Sequence, residues 1–227
     1  MNSNSNIDTT IFHAGEGGKL PPEAVKTLAE AARSCKIIAF PTDTVYGLGS
    51  TGLIKAAARR IYQMKARPSI KPLPILVWST EEAKRWVQWT ETAEKLARRF
   101  WPGAMTLVLK TSQAGRILTF AEYQTIAIRV PNHPLLLDIL KASEVPWVST
   151  SANISGSSAL SRSQEVVGLF KGLADFIIDA GDASGEESTV VDATQKTARI
   201  LREGKISAAQ VMEACPSANV AATGNPK

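Results

Sequence analysis

The sequence has little of what binds metals or forms crosslinks. Its 227 residues include two cysteines, Cys35 and Cys215, and two histidines, His13 and His133. The cysteines stand far apart and form no C-x-x-C, which speaks against a disulfide framework and for a reducing cytosol. The histidines have no ligand spacing, so no zinc site is expected. Long apolar runs are missing too: none approaches the roughly 18 residues of a membrane span. The opening MNSNSNIDTT has no basic region followed by an apolar stretch and does not read as a signal peptide. A soluble, cytoplasmic protein without membrane contact is expected. Familiar catalytic signatures are also lacking. GEGGK at 15–19 is not G-x-x-x-x-G-K-[ST], and there is no G-x-S-x-G elbow and no H-E-x-x-H. No motif brings two carboxylates together, which removes support for a glycosidase-like acid/base pair. An enzyme built from these residues would position substrates and stabilise charge rather than attack covalently.

What is present is ordinary for a globular chain. Hydrophobic residues make up 44% and charged residues 21%, and 227 residues can bury a full core. Lys and Arg exceed Asp and Glu by 26 − 21 = 5, a mild balance that favours anionic partners such as nucleotides, phosphate metabolites or, weakly, RNA. Helix-like and strand-like stretches alternate. PPEAVKTLAEAARS, IKAAARRIYQMK, TAEKLARRFW, PLLLDILKA and SQEVVGLF read as helices, and a last helix starts near Ser207. KIIAF, LPILVW, MTLVLK, TIAIRV, VPWVS, DFIID, STVVD and ARILR read as strands. Several strands follow one another directly, so the fold class expected is α/β: a single domain with a twisted mixed parallel/antiparallel sheet flanked by helices. Residues 1–19 read as an N-terminal extension, 20–207 as the catalytic domain, and 208–227 as the end of a helix and a flexible tail.

Three polar stretches adjoin buried strands, and ligands of open α/β sheets tend to lie beyond strand ends. PTDTVYGLGS at 41–50 supplies hydroxyls and a carboxylate, though a turn bonding its own backbone would look the same. KARPSIKPLPILV at 65–77 fans Lys65 and Arg67 out from a helix end, because Pro68 keeps Arg67 out of the helical region, and Lys71 follows. Such groups suit phosphate or carboxylate, yet cations at a helix C-terminus also simply complement its dipole. VPWVSTSANISG at 145–156 ends a buried strand in five short polar side chains, Ser149, Thr150, Ser151, Asn153 and Ser155. A helix cap needs one hydroxyl, which Ser163 could provide for SQEVVGLF, so five invite a ligand reading. Arg129 interrupts the apolar strand IAIRVP and Arg202 ends ILR; each could equally be half of a salt bridge.

In order along the chain, PTDTVYGLG, K-x-R-P at 65–68, KPLPILV, FWPGAMTLVL, IAIRVPNHP, TSANISG, ESTVVD and ILREG resemble the YrdC-like family of threonylcarbamoyl-AMP synthases. The resemblance runs from about Leu20 to Ser207. It implies a nucleotidyltransferase with a concave basic cavity that joins L-threonine, bicarbonate (or carbon dioxide) and ATP into L-threonylcarbamoyladenylate and pyrophosphate. This would be the first step of the threonylcarbamoyladenosine modification of tRNA, completed by a separate downstream transferase. It implies threonine contacts from Thr44, Arg129 and Ser151. It implies ATP contacts from Lys65, Arg67, Lys71, Thr125, Asn153, Ser161 and Arg202, with Lys65, Arg67, Ser151 and Asn153 carrying the catalysis. Mg²⁺ is expected to arrive with ATP, with no protein ligand assigned. Asp43 and His133 are the nearest candidates for a general base, although His133 reads equally as a helix cap.

The chain departs from the family's pattern in places. Leu76 stands near a position where some relatives carry a threonine-contacting histidine. Glu203 replaces the usual proline in ILREG, which is expected to loosen the turn that carries Arg202. Longer relatives add a C-terminal domain that closes over the site, so closure here is expected from within this domain or its tail. The alternative from another class is a non-catalytic RNA- or nucleotide-binding module of the same fold. Against RNA, the tryptophans read as packing: Trp78 and Trp147 in or beside strands, Trp86 and Trp89 on one helical face. A carbamoyl-adenylate-forming domain of hydrogenase maturation is a weaker rival, since such domains lie in longer, cysteine-rich chains.

Overall fold

Eleven strands hydrogen-bond into one mixed sheet, with seven α-helices packed around it, among the residues that the computed structural model describes: 7–65, 72–118 and 123–220. The strands are β1 (Thr10–His13), β2 (Ile38–Phe40), β3 (Gly47–Thr51), β4 (Ile75–Leu76), β5 (Met105–Lys110), β6 (Thr125–Arg129), β7 (Trp147–Ser151), β8 (Phe176–Asp179), β9 (Thr189–Asp192), β10 (Arg199–Arg202) and β11 (Asn219–Val220). Their order is β1-β8-β2-β3-β7-β4-β6-β5-β9-β10-β11. The helices are α1 (Pro22–Arg33), α2 (Lys55–Met64), α3 (Thr80–Trp86), α4 (Glu91–Phe100), α5 (Pro134–Ser143), α6 (Ser163–Phe170) and α7 (Ala208–Ala214). No helix among the described residues is long and apolar enough to cross a membrane. Both cysteines are free.

The α/β reading with a mixed sheet holds. Several of the strands called from sequence are apolar runs of the kind that is buried on both faces, whereas β10 buries only Ile200. β2 is wholly buried, as are Ile75 and Leu76 of β4 and Trp147 and Val148 of β7. Helix α1 starts on proline, whose missing N–H is no loss at the first turn, and buries Leu28, Ala29 and Ala32. Helix α7 is closed at its start by a capping box between Ser207 and Gln210.

Four local readings are corrected. Arg162, not Ser163, stands at the N-cap of α6: the Ser163 N–H donates to Asp182 Oδ1 and its hydroxyl to Asp179 Oδ1. His133 occupies the N-cap of α5 without a side-chain capping bond. Trp86 and Trp89 do not share a helical face, because Val87 turns extended and ends α3. Both are packing residues nonetheless, with Trp86 Nε1 donating to Glu82 Oε1 at 2.8 Å and Trp89 Nε1 to Glu94 Oε2 at 2.7 Å. Finally, GLGST, within a stretch read as a turn, is the interior strand β3. Its glycines let the strand pass over Phe40: a Cβ on Gly47 or Gly49 would come within 2.6 or 2.8 Å of that ring. GLGSTG at 47–52 has G-x-G-x-x-G spacing. Two of its glycines lie inside an antiparallel strand, not in the strand-to-helix turn of a dinucleotide site.

The topology decides where the site can be. Strand β4 pairs parallel with β6 and antiparallel with β7, so β6 and β7 run in opposite directions. Arg129 at the end of β6 and Ser151 at the end of β7 therefore point to opposite edges of the sheet. By the same chain of pairings β10 runs with β6, which puts Arg202 at the Arg129 edge. Residues from both edges can meet only across a sheet face.

Candidate active site

They do meet there. A cavity of about 240 Å³ lies against the sheet face, floored by Phe40, Gly47, Leu76, Thr106 and Ser149 and walled by Thr44, Arg129, Ser151 and Arg202. The cavity thus draws its lining from opposite strand ends, Arg129 and Arg202 from one and Ser151 from the other.

The wall from the β2–β3 loop is built by hydroxyl chemistry. Thr42 Oγ1 donates to Val45 O at 2.7 Å and accepts from Thr44 N at 3.0 Å, as an ordinary turn would have it. With its single proton used, Thr42 Oγ1 accepts from Thr44 Oγ1 at 2.8 Å. Thr44 Oγ1 in turn accepts from Arg129 NH1 at 3.0 Å. One lone pair of Thr44 remains, so this hydroxyl offers the cavity an acceptor.

Arg129 is buried and held on three sides. Nε donates to Gly103 O at 2.9 Å, NH1 to Thr44 Oγ1, and NH2 to Asp43 Oδ1 at 2.7 Å. Five guanidinium N–H groups minus three leaves one on each terminal nitrogen, a donor pair suited to a carboxylate or phosphate oxygen. Burial pulls the Arg129 pKa down and Asp43 opposes it, with neighbouring Arg202 lowering it further. An arginine stays charged through such a shift at neutral pH.

The opposite wall is the Ser151–Asn153 loop. Lys65, at the end of α2, is buried behind it and donates to Thr150 Oγ1 at 3.0 Å, Ser151 O at 2.6 Å and Asn153 Oδ1 at 2.5 Å. Ser151 Oγ also donates to Asn153 Oδ1, at 3.1 Å, and Asn153 Nδ2 donates to Ser157 O at 2.5 Å.

Arg202 closes the far side. It pairs with Glu187 Oε2 at 2.7 Å and donates to Ser188 O at 2.8 Å. The turn after it is not loosened by Glu203. Gly204 N and Ile206 N both donate to Thr189 Oγ1, Lys205 N donates to Glu187 O, and Glu203 Oε1 accepts from Ala208 N at the start of α7. Lys205 Nζ reaches Asp43 O at 2.9 Å, tying this turn to the β2–β3 loop.

Of the residues singled out in the sequence, Thr44, Arg129, Ser151 and Arg202 thus line one cavity, with Lys65 and Asn153 directly behind Ser151. Ser161 lies beside the loop from Gly181 to Ser188: its carbonyl accepts from Ala183 N at 2.8 Å. Thr125 begins β6, four residues from Arg129 and so about 13 Å along the strand, and does not line the cavity. Arg67 and Lys71 lie outside the described residues. Neither candidate base lines the cavity. Asp43 Oδ1 is occupied by Arg129 and by Asn132 N at 3.0 Å. Burial lowers the His133 pKa, and its Nδ1 is enclosed without a hydrogen-bond partner. Sequence reasoning missed Glu187, Ser188 and Lys205. The signal was present, since ESTVVD and ILREGK had drawn attention and Arg202 alone was taken from them.

The comparisons with known proteins agree with this architecture. The Sua5–YciO–YrdC family model, described as telomere recombination, matches residues 30–204. The threonylcarbamoyl-AMP synthase of Pyrococcus abyssi is 40% identical over 182 residues, 79% of this chain and 54% of that protein. The enzyme of the same name from Bacillus subtilis is 36% identical over 191 residues, 81% of this chain and 55% of its own length. The chain thus spans about half the length of these curated relatives. Among solved structures, P. abyssi Sua5 complexed with L-threonine superposes with a TM-score of 0.85 at 34% identity, over 94% of this chain and 62% of that one. Escherichia coli YciO superposes at 0.77 with 27% identity, over 88% of this chain and 96% of that one. Sequence and fold agree over the same residues, and the chain belongs to the Sua5–YciO–YrdC family.

Proposed function

We propose that the chain is a nucleotidyltransferase that forms L-threonylcarbamoyladenylate and pyrophosphate from L-threonine, bicarbonate (or carbon dioxide) and ATP. It would act in the cytoplasm, as the first step of threonylcarbamoyladenosine formation on tRNA, and pass the product to a separate transferase. One observation carries this reading: a single cavity offers a hydroxyl acceptor on Thr44, two uncommitted N–H groups on Arg129 and the Ser151 hydroxyl. These match the amine and carboxylate of an amino acid, and a relative of the same fold was solved with L-threonine. Phe40 and Leu76 give the cavity an apolar wall for the threonine methyl group. Leu76 supplies no hydrogen bond, so recognition here rests on the remaining polar groups.

The chemistry asked of these residues is positioning. The Thr44 and Ser151 oxygens hold the amino nitrogen: the ammonium gives one proton to water, the free amine forms its N–C bond to carbon dioxide as one C=O π bond opens, and the second N–H proton also leaves to water, giving the carbamate. Arg129 fixes the carboxylate, so that a carbamate oxygen faces the α-phosphorus. That oxygen forms the new P–O bond as the bond to pyrophosphate breaks in line. Arg202, once released from Glu187, would neutralise charge on the phosphates; Arg67, Lys71, Asn153 and Ser161 would complete the nucleotide contacts. Among the described residues no group of three or more His, Cys, Asp or Glu is placed to hold a metal. Mg²⁺ would be held chiefly by phosphate oxygens and water, neutralising charge on the leaving group.

The test is pyrophosphate release with mass detection of the adenylate, each substrate omitted in turn. Product that needs ATP, bicarbonate and threonine together, and that serine does not replace, is the expected result. No product from folded protein overturns the reading in favour of a non-catalytic nucleotide- or RNA-binding module. RNA binding that weakens steeply with salt would then identify the latter.

A further inference from the structure

We propose that Lys65 is a positioning residue for the amino-acid substrate, which shapes the Ser151–Asn153 loop from behind rather than reaching the nucleotide. The inference rests on the threonine reading given above. It begins with burial: Lys65 is 2% exposed. An ammonium group has three N–H donors in a tetrahedral array. Here they meet Thr150 Oγ1, Ser151 O and Asn153 Oδ1, three acceptors within four consecutive residues. The Lys65 backbone holds the same loop, since its carbonyl accepts from Ser155 N at 3.2 Å. Both ends of the residue therefore grip one segment.

The grip passes outward in steps. With Lys65 on its Oδ1 and Ser157 O on its Nδ2, the Asn153 amide has one orientation. Its Oδ1 then also accepts from Ser151 Oγ. The Ser151 proton is thus turned away from the cavity, and the oxygen lone pairs are left to face it. A Ser151 oxygen held this way accepts from an N–H of the substrate, as Thr44 Oγ1 does from the other wall. Without the ammonium the amide can flip, presenting N–H groups to Ser151, and the hydroxyl proton can turn into the cavity and meet the substrate N–H head on.

The test uses Lys65→Met, which keeps length and apolar bulk while removing the donors. L-threonine alone and ATP alone are titrated by calorimetry. The ligand-free protein is observed by NMR at the Asn153 side-chain amide. Threonine affinity is expected to fall about tenfold, as for loss of one charged hydrogen bond. Ser151→Ala should lower affinity in the wild type yet add less than twofold on the Lys65→Met background. The Asn153 amide signals should shift in Lys65→Met. Unchanged threonine affinity with loss of ATP affinity would overturn the proposal and make Lys65 a direct nucleotide ligand. Wild-type protein that binds no threonine would sink the substrate reading instead. In that case the Asn153 amide decides the clamp, and an unmoved signal rejects it. Should Lys65→Met fail to fold, Thr150→Val removes one acceptor of the same clamp. It should weaken threonine severalfold, and wild-type affinity there would reject the proposal.

Discussion

Two arginines at the ends of parallel strands each form an ion pair at 2.7 Å with a carboxylate from a loop. Arg129 with Asp43 is 8% and 13% exposed at the side chains, whereas Arg202 with Glu187 is 45% and 41% exposed. Distance alone would rate the pairs equal. Burial separates them, because water screens the second and leaves the first dependent on its partners. Arg129 is also fixed by Gly103 O and Thr44 Oγ1, so its remaining donors are aimed before any ligand arrives. Arg202 can exchange Glu187 for another anion at small cost. One arginine is a fixed wall of the cavity and the other an adjustable side chain; in the proposed reaction the first would hold the carboxylate and the second the phosphates.

Arg129→Ala should break this contrast most strongly. It strips Asp43 of its buried counter-ion and should lower unfolding free energy by about 3–5 kcal/mol in urea titration. Threonine binding should be lost with it. Asp43→Asn attacks the same pair from the other side and should cost about 2 kcal/mol by the same assay, since the amide oxygen can still accept one bond. Arg202→Ala should cost no more than about 1 kcal/mol of stability. Its adenylate formation should nevertheless fall tenfold or more, and a variant as active as wild type would remove Arg202 from the nucleotide site. Glu187→Gln should be the mildest of the pair substitutions, within about 0.5 kcal/mol, with no loss of ATP affinity. Raising salt should erase even that difference while leaving the Arg129 effect nearly intact.

A smaller effect is expected from pH. His133 has its folded pKa lowered by burial, so below its ordinary value the unfolded chain takes the proton more readily. Stability is therefore retained above about pH 6.5 and lost as pH falls below it toward the folded value. His133→Gln should flatten the stability profile between pH 7 and pH 5. An unchanged slope would mean that His133 protonates as easily in the fold as outside it.

Much of the architecture was readable in the chain because apolar runs such as MTLVLK, with Met105, Leu107 and Leu109 fully buried, carry the sheet signal locally. What was missed carries a weak local signal. β3 has two glycines in five residues and is a strand because Phe40 and β7 hold it there. β1, in the stretch TIFH, is four residues long and pairs with β8 some 166 positions away. α3 is a seven-residue helix whose clearest sign is the Ser79 cap.

The site divides in the same way. The chemical types that could serve a small zwitterion and a nucleotide were visible in the sequence: hydroxyls at PTDT and STSAN, and basic groups at Lys65, Arg129 and Arg202. Residue type is local, so the sequence by itself determined which donors and acceptors exist, and motif order identified the family. Which of them face the ligand was decided by tertiary structure. The opposed directions of β6 and β7 bring charged and neutral walls together over the sheet face, and burial turns one arginine and one lysine into fixed parts of those walls. Strand direction and burial depend on partners a hundred residues away, which no local pattern encodes.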